Sequence, residues 1–167
     1  MAEDQSWRGK VGKMDADEVD QFLSAGRLVR LACVDHDGWP FVVPMWYEWD
    51  KSEGDGVFWV IPRMKSAWAQ YLKREPRCAI TIDEDQAPYR KVLVKAEAIL
   101  VEEPNVGGKW VEIATKMSYR YLGENGPKYL EPTLNEPRWL YKLKPVKMTT
   151  WQGVDWHKKY VTAGKSE

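Results

Sequence analysis

The sequence predicts a mainly β fold of the α+β class, in which six or seven antiparallel strands form a small barrel or strongly curled sheet with helices outside it. Residues Lys91–Glu103 alternate between apolar and polar side chains, which indicates a long strand with one buried face. Two turn sequences, His36–Gly38 and Asp50–Gly56, separate strand-like segments and predict antiparallel hairpins. Helical patterns precede, interrupt and follow these strands, so helices are expected around the sheet.

The first helix and the first hairpin have clear local signals. Met14–Gly26 is predicted to be helical, because Asp15 begins a capping box and apolar residues follow at helical spacing. Arg27–Asp35 is predicted to pair with Trp39–Trp49. Pro44 lies within the second of these segments. Since proline has no backbone N–H, we expect the strand to be irregular or at a sheet edge there.

The remaining elements follow from the same kinds of pattern. Apolar alternation and β-branched residues predict strands, and helical periodicity bounded by Pro or Gly predicts helices. The expected strands are Val57–Ile61, Arg77–Asp83, Lys91–Glu103 and one or two closing strands around Pro145 in Arg138–Trp151; the expected helices are Ser66–Glu75 and Asn105–Gly123; Glu124–Pro137 is expected to be an irregular loop.

Length and composition indicate one soluble domain. The chain has 167 residues, 44% hydrophobic and 30% charged, and we expect a single domain over 1–167 with flexible tails at 1–13 and 161–167. Lys plus Arg and Asp plus Glu number 25 each, so the basic excess typical of nucleic-acid binding is absent. The N-terminal stretch has no signal-peptide core, and no apolar run is long enough to span a bilayer. We therefore expect a cytoplasmic protein that binds neither nucleic acid nor membrane.

The turn between the third strand and the next helix contains two cations. Within "IPRMKSAW", Arg63 can contact a phosphate through two hydrogen bonds, Lys65 adds a second charge, and Ser66 can donate a hydrogen bond. The start of the helix adds free N–H groups and a favourable dipole. The pattern predicts a phosphate site, although solvated loop charges explain the same residues equally well.

Other kinds of catalytic or metal chemistry have little support. The two histidines, His36 and His157, lie far apart, and no cluster has metal-ligand spacing, so no metal is expected. No nucleophile-elbow, dinucleotide-binding or P-loop motif is present, and no catalytic residue can be assigned. Cys33 and Cys78 lie in strand-like segments and are expected to be buried reduced thiols.

Four segments together resemble the FMN-binding split-barrel family, which includes pyridoxamine-phosphate-oxidase-like proteins and flavin/deazaflavin oxidoreductases. They are "GRLVRLACVDHDGWPFVVPMWYEWD", "GVFWVIPRMKSAWAQYLKREPRCAITID", "KVLVKAEAILVEE" and "KMTTWQG", and the resemblance covers roughly Asp15–Tyr160. It implies an antiparallel split β-barrel that forms a homodimer with two cofactor sites at the interface.

The resemblance also implies a set of cofactor-binding residues. The phosphate of the cofactor would lie at Arg63, Lys65 and Ser66, with Trp68 where many relatives have asparagine. The ring would pack against Val43, Pro44, Met45 and Trp46, with Thr81 nearby. The partner subunit would contribute Tyr89, Arg90, Lys91 and Trp151.

Several functions are compatible with this family. The first is an FMN-dependent oxidoreductase that transfers hydride to or from a small planar substrate. The alternatives are a reductase that uses the deazaflavin coenzyme (F420), and a non-enzymatic flavin- or haem-binding stress or sensor module with His157 as the candidate haem ligand. Pyridoxamine-phosphate oxidase activity is disfavoured, because the C-terminal "WQGVDWHKKY" lacks the Arg-x-Arg of those enzymes. An interaction domain whose tryptophans are only core residues remains a further alternative.

Overall fold

Seven strands form one antiparallel sheet within residues 9–157 and 160, which the computed structural model describes. The order across the sheet is β2-β1-β5-β6-β7-β4-β3. The strands are β1 (Val29–Val34), β2 (Pro40–Met45), β3 (Glu48–Asp50), β4 (Val57–Val60), β5 (Arg77–Asp83), β6 (Lys91–Asn105) and β7 (Arg138–Trp151). The predicted α+β class, the antiparallel pairing and the strand number are confirmed.

The two edges of this sheet are joined by a very short connection. β2 ends at Met45 and β3 begins at Glu48, so only Trp46 and Tyr47 separate them. Because an extended residue spans at most about 3.6 Å, the two edges must lie close together. The sheet therefore curls into an incompletely closed barrel, as expected for a split barrel.

The prediction of one strand over Trp39–Trp49 is wrong, since this segment contributes two strands at opposite edges. The Tyr47 side chain turns into the core, where its hydroxyl donates to the Leu23 carbonyl at 2.7 Å. The preceding Trp46 stacks on Tyr121 with ring centroids 4.7 Å apart. These contacts redirect the chain after Met45. The expectation of a proline at a sheet edge is confirmed, because Pro44 lies in the edge strand β2.

Four α-helices lie around the sheet in the described residues: α1 (Ala16–Ser24), α2 (Ala67–Arg74), α3 (Trp110–Leu122) and α4 (Gly126–Leu130). The predicted capping box of α1 is confirmed, since the Glu18 N–H donates to Asp15 and the Asp15 N–H donates back to the Glu18 carboxylate. The prediction of an irregular loop over Glu124–Pro137 is corrected, because this segment contains α4 between two 3-10 turns.

A close approach fixes α4 against α3. A Cβ atom at Gly126 would lie 2.6 Å from the Ser118 backbone, so only glycine allows this contact. The consequence is that Tyr129 and Leu130 of α4 are held beside the first residues of β7.

Apolar side chains fill the barrel interior and also the space beneath α3. The interior cluster includes Leu31, Ile80, Val94 and Tyr141, and the second cluster packs α3 onto β4 and β7 through residues that include Trp59, Trp110 and Leu140. Trp49, Trp59, Trp110 and Trp139 are buried, so part of the high tryptophan content serves the core. Cys33 and Cys78 are buried free thiols, as expected.

The ends of the chain are only partly described. Gly12 and Gln152 exchange two backbone hydrogen bonds of 2.9 Å, so part of the predicted N-terminal tail is paired with the end of β7. Residues 1–8 and 161–167 of the two predicted tails lie outside the described residues. None of the described helices is long and apolar enough to cross a bilayer.

Candidate functional site

A cavity of about 260 Å³ lies where the end of β2, the turn before α2, the helices α3 and α4 and the start of β7 meet. Its walls are largely aromatic and apolar, and the only ionisable groups besides Tyr129 among its described lining residues are two arginines. The lining residues are Met45, Trp46, Ile61, Arg63, Trp68, Ala114, Met117, Ser118, Tyr129, Leu130 and Arg138.

Backbone pairing brings the two arginines together. The Met64 N–H donates to the Pro137 carbonyl at 3.0 Å, and the Trp139 N–H donates to the Pro62 carbonyl at 3.0 Å. Arg63 and Arg138 are therefore directly opposed in an antiparallel bridge between the turn and β7. Cross-strand neighbours on such a ladder lie close together, so two positive charges share this end of the barrel.

Arg138 is buried and has no ion pair with any described residue. It is 7% exposed, its Nη2 donates to Thr133 Oγ1 at 2.5 Å, and its guanidinium lies 5.0 Å from the centroid of the Trp110 ring. Its Nε is buried and has no hydrogen-bond partner within the part of the chain that the structure describes. Burial, and then the charge of Arg63, lower the pKa of the Arg138 guanidinium from its ordinary value.

Sequence reasoning missed Arg138. An arginine that opens an apolar strand usually marks a solvated strand end, and nothing local distinguishes this one. The signal that could have drawn attention to it is its position directly before the buried run "WLYKL".

Aromatic side chains form part of the cavity wall. Trp46 stacks on Tyr121 with an interplanar angle of 4°, and Tyr121 is itself anchored by donating to the Arg27 carbonyl at 2.7 Å. Trp46 also contacts Tyr129 of α4, with ring centroids 5.2 Å apart. The orientation of Trp46 is therefore fixed from two sides.

The turn before α2 presents further unpaired groups. Lys65 is exposed and has no ion pair with any described residue, and Ser66 is the N-cap residue of α2 but makes no capping hydrogen bond through its side chain. Neither residue lines the cavity, so the predicted phosphate set is divided. Arg63 lines the cavity and is also exposed to solvent, whereas Lys65 and Ser66 are not among the lining residues.

The structure divides the remaining predicted residues among other places. Four predicted residues, Met45, Trp46, Arg63 and Trp68, line the cavity. Val43 and Pro44 pair with β1, and Thr81 lies on β5 between β1 and β6.

The residues expected from the partner subunit lie on another part of the barrel. Lys91 and Trp151 are cross-strand neighbours on β6 and β7 and line a second, larger cavity of about 1140 Å³. Arg90 is already engaged, because its guanidinium donates twice to the Glu84 carboxylate at 2.8 and 3.0 Å. Tyr89 is about half exposed and has a positive φ of 56°.

The described residues contain no cluster of three or more His, Cys, Asp or Glu side chains that could hold a metal ion. The site is therefore a cationic and aromatic cavity rather than a metal centre, and its chemistry suits an anionic planar molecule.

The curled seven-stranded sheet with this cavity at one end defines a split-barrel protein. A family model described as pyridoxamine 5'-phosphate oxidase matches residues 16–152. The chain therefore belongs to the pyridoxamine 5'-phosphate oxidase family.

Solved structures share the fold. A conserved hypothetical protein, Rv2991, from Mycobacterium tuberculosis has a TM-score of 0.70 at 22% identity, covering 95% of this chain and 97% of its own. An FAD-binding protein from Mesorhizobium loti has a TM-score of 0.62 at 18% identity, with coverage of 87% and 98%. An F420 reductase has a TM-score of 0.61 at 25% identity, with coverage of 77% and 94%. A comparison with curated proteins found no match.

Proposed function

We propose that the protein is an oxidoreductase that binds a flavin-type cofactor, FMN or its deazaflavin counterpart (F420), and acts on a small planar substrate. The observation that supports this most directly is the set of unpaired groups at the start of α2. Arg63 and Lys65 have no ion pair among the described residues, and the Ser66 side chain makes no capping hydrogen bond.

These residues fit the phosphate of such a cofactor. The free N–H groups and dipole of the first turn of α2 favour an anion, Arg63 can donate two parallel hydrogen bonds, and Lys65 adds a point charge. When bound, the flavin would supply the hydride chemistry. The role of the chain is to hold and orient it, with Lys65 and Ser66 at the phosphate.

The apolar wall suits the ring of the cofactor. Met45 ends β2 and Trp46 follows it; both are half-buried, and stacking on Tyr121 fixes the orientation of Trp46. Such a wall excludes water from one face of a bound ring and strengthens electrostatic interactions there. The chain offers no group that we assign as the catalytic acid or base.

We also propose a homodimer in which the second copy completes the site. Lys91 and Trp151 support this, because both belong to the predicted cofactor set and yet line a cavity separate from Arg63. The partner's copies of these residues would then approach the cofactor held at α2.

The likeness to the F420 reductase is the reason to keep the deazaflavin coenzyme as the second candidate. A haem-binding module has weaker support. The ring of its candidate ligand, His157, packs beside Trp151 with centroids 5.4 Å apart, and His157 does not line the cavity that contains Arg63 and Arg138.

The test is a cofactor titration. The absorption spectrum of the protein as purified is recorded first, and FMN and F420 are then titrated separately while tryptophan fluorescence is followed. Lys65→Ala should weaken binding about tenfold, because one charge-assisted contact is worth about 1.5–3 kcal/mol and 1.4 kcal/mol is tenfold.

Lys144→Ala is the matched control, since Lys144 is an exposed lysine on β7 that does not line the cavity. It should bind like wild type. Failure of both cofactors to bind would reject the proposal. An equal loss of cofactor affinity in Lys65→Ala and Lys144→Ala would reject the role of the turn before α2.

A further inference from the structure

We propose that Arg138 makes the cavity beside it a subsite for the carboxylate of a small aromatic acid, next to the cofactor phosphate that Arg63, Lys65 and Ser66 would hold. As a statement about the substrate class, the proposal rests on the proposed oxidoreductase function. As a statement about binding, it rests on the cavity itself.

The charge of Arg138 favours an anion in the cavity. Arg63 and Arg138 oppose each other in the bridge, and no Asp or Glu is among the described residues that line the cavity. Three other arginines differ from Arg138 in this respect, because Arg27, Arg90 and Arg120 each have a carboxylate partner within 3.0 Å. Arg63 is exposed to solvent, but the buried Arg138 guanidinium has no counter-ion among the described residues, and a bound carboxylate would supply one.

Arg138 is held ready for a ligand. The hydrogen bond to Thr133 and the ring of Trp110 fix its guanidinium from two directions, while the buried Nε has no acceptor. A buried donor that lacks an acceptor in the folded chain indicates a missing partner. A carboxylate is a strong acceptor for such a group at neutral pH, and the planar guanidinium fork matches the planar carboxylate.

The size and the walls of the cavity limit the rest of the molecule. A cavity of about 150 Å³ lined by apolar residues is enough for one benzene ring. The cavity here, of about 260 Å³, accommodates one aromatic ring with its carboxylate. Trp68 and Tyr129 offer aromatic faces, and Met117 and Leu130 provide apolar contacts. Benzoate is therefore a suitable probe.

The experiment compares benzoate with benzamide, which has the same shape and no charge. Each is titrated into the purified full-length protein, with tryptophan fluorescence and calorimetry as readouts. We expect benzoate to bind at least tenfold more tightly than benzamide. Arg138→Met should weaken benzoate binding by about ten- to a hundredfold, because a charge-assisted hydrogen bond is lost. Arg138→Lys should recover only part of the loss, since lysine cannot form the two-point contact.

Lys65→Ala separates this subsite from the cofactor site. It should leave benzoate affinity within about twofold of wild type while weakening FMN binding. Arg138→Met should weaken benzoate binding and leave FMN affinity within about twofold of wild type. Circular dichroism and thermal unfolding of each variant confirm that it is folded. If neither FMN nor F420 binds to the wild-type protein while benzoate does, the proposed function is rejected and the subsite stands.

Four results would overturn the proposal. They are the absence of benzoate binding at millimolar concentration, equal affinity for benzoate and benzamide, an unchanged affinity in folded Arg138→Met, and displacement of benzoate by FMN or by inorganic phosphate. The last result would assign the cavity to the cofactor phosphate instead.

Discussion

Replacing Arg138 by methionine should make the protein more stable. A charged side chain that is 7% exposed and has no ion pair among the described residues loses most of its hydration on folding. Methionine has a similar length, fills irregular space and carries no charge. An arginine kept for ligand binding, rather than for the fold, is expected to show this behaviour.

The magnitude follows from the contacts of Arg138. Burial of an ion costs several kcal/mol, which is offset by one hydrogen bond to Thr133, worth about 1.5–3 kcal/mol, and by the Trp110 ring, worth about 0.5–2 kcal/mol. Loss of the repulsion from Arg63 adds to the gain. We expect the free energy of unfolding to rise by about 1–2 kcal/mol, which corresponds to about 2–8 °C in Tm for a chain of this length.

Urea unfolding and calorimetry in a buffer without multivalent anions measure this change. The control is Arg120→Met, because the Arg120 Nη2 donates to the part-buried Glu48 carboxylate at 2.8 Å. That variant leaves a carboxylate unpaired and should lose about 1–3 kcal/mol. A loss of more than about 2 kcal/mol in Arg138→Met would refute the argument, since Arg138 would then be a structural residue.

Three further predictions concern the barrel itself. Tyr47→Phe leaves the buried Leu23 carbonyl without its donor and should cost about 1–3 kcal/mol in urea unfolding; an unchanged midpoint would contradict this. Burial raises the pKa of Glu84, but hydrogen bonds from its arginine partners bring it below the ordinary 4.5. The stability that the Glu84 carboxylate contributes is therefore complete above pH 4.5 and is lost as the pH falls through its lower pKa in the folded protein. In an acid titration followed by circular dichroism, the wild-type protein should lose more stability than Glu84→Gln. Burial raises the pKa of the Cys33 thiol, and burial together with the neighbouring Cys33 raises the pKa of Cys78 to about 12. At mildly alkaline pH, a disulfide reagent that modifies thiols should therefore react with these cysteines only after the protein unfolds.

The local signals in the sequence predicted most of the elements. The capping box at Asp15 begins α1, the alternation from Lys91 gives β6, and Arg138–Trp151 forms one strand through Pro145 with a register shift opposite Ala96. Each of these features depends on residues within a few positions of one another. The breaks in the pattern were harder to predict. The segment after Met45 has the alternation of a strand, and only its tertiary contacts end it.

The candidate site was predicted in part. Arg63, Met45, Trp46 and Trp68 were expected at a cofactor site, and the structure brings them to one cavity. Local patterns did not single out Arg138, because its burial depends on pairing with a turn far earlier in the chain and on contacts with Thr133 and Trp110. The roles of all these residues in cofactor binding stay predictions.

The sequence by itself determined the class of fold, the positions of most helices and strands and the cationic turn before α2, because periodicity, capping and turn chemistry act between neighbours in the chain. Only the tertiary structure decided that Arg63 and Arg138 oppose each other at a cavity whose described lining residues include no Asp or Glu. Which distant segments pair, and which charge is thereby removed from water, is set by the packing of the whole barrel, since the same arginine would be solvated at an open strand end.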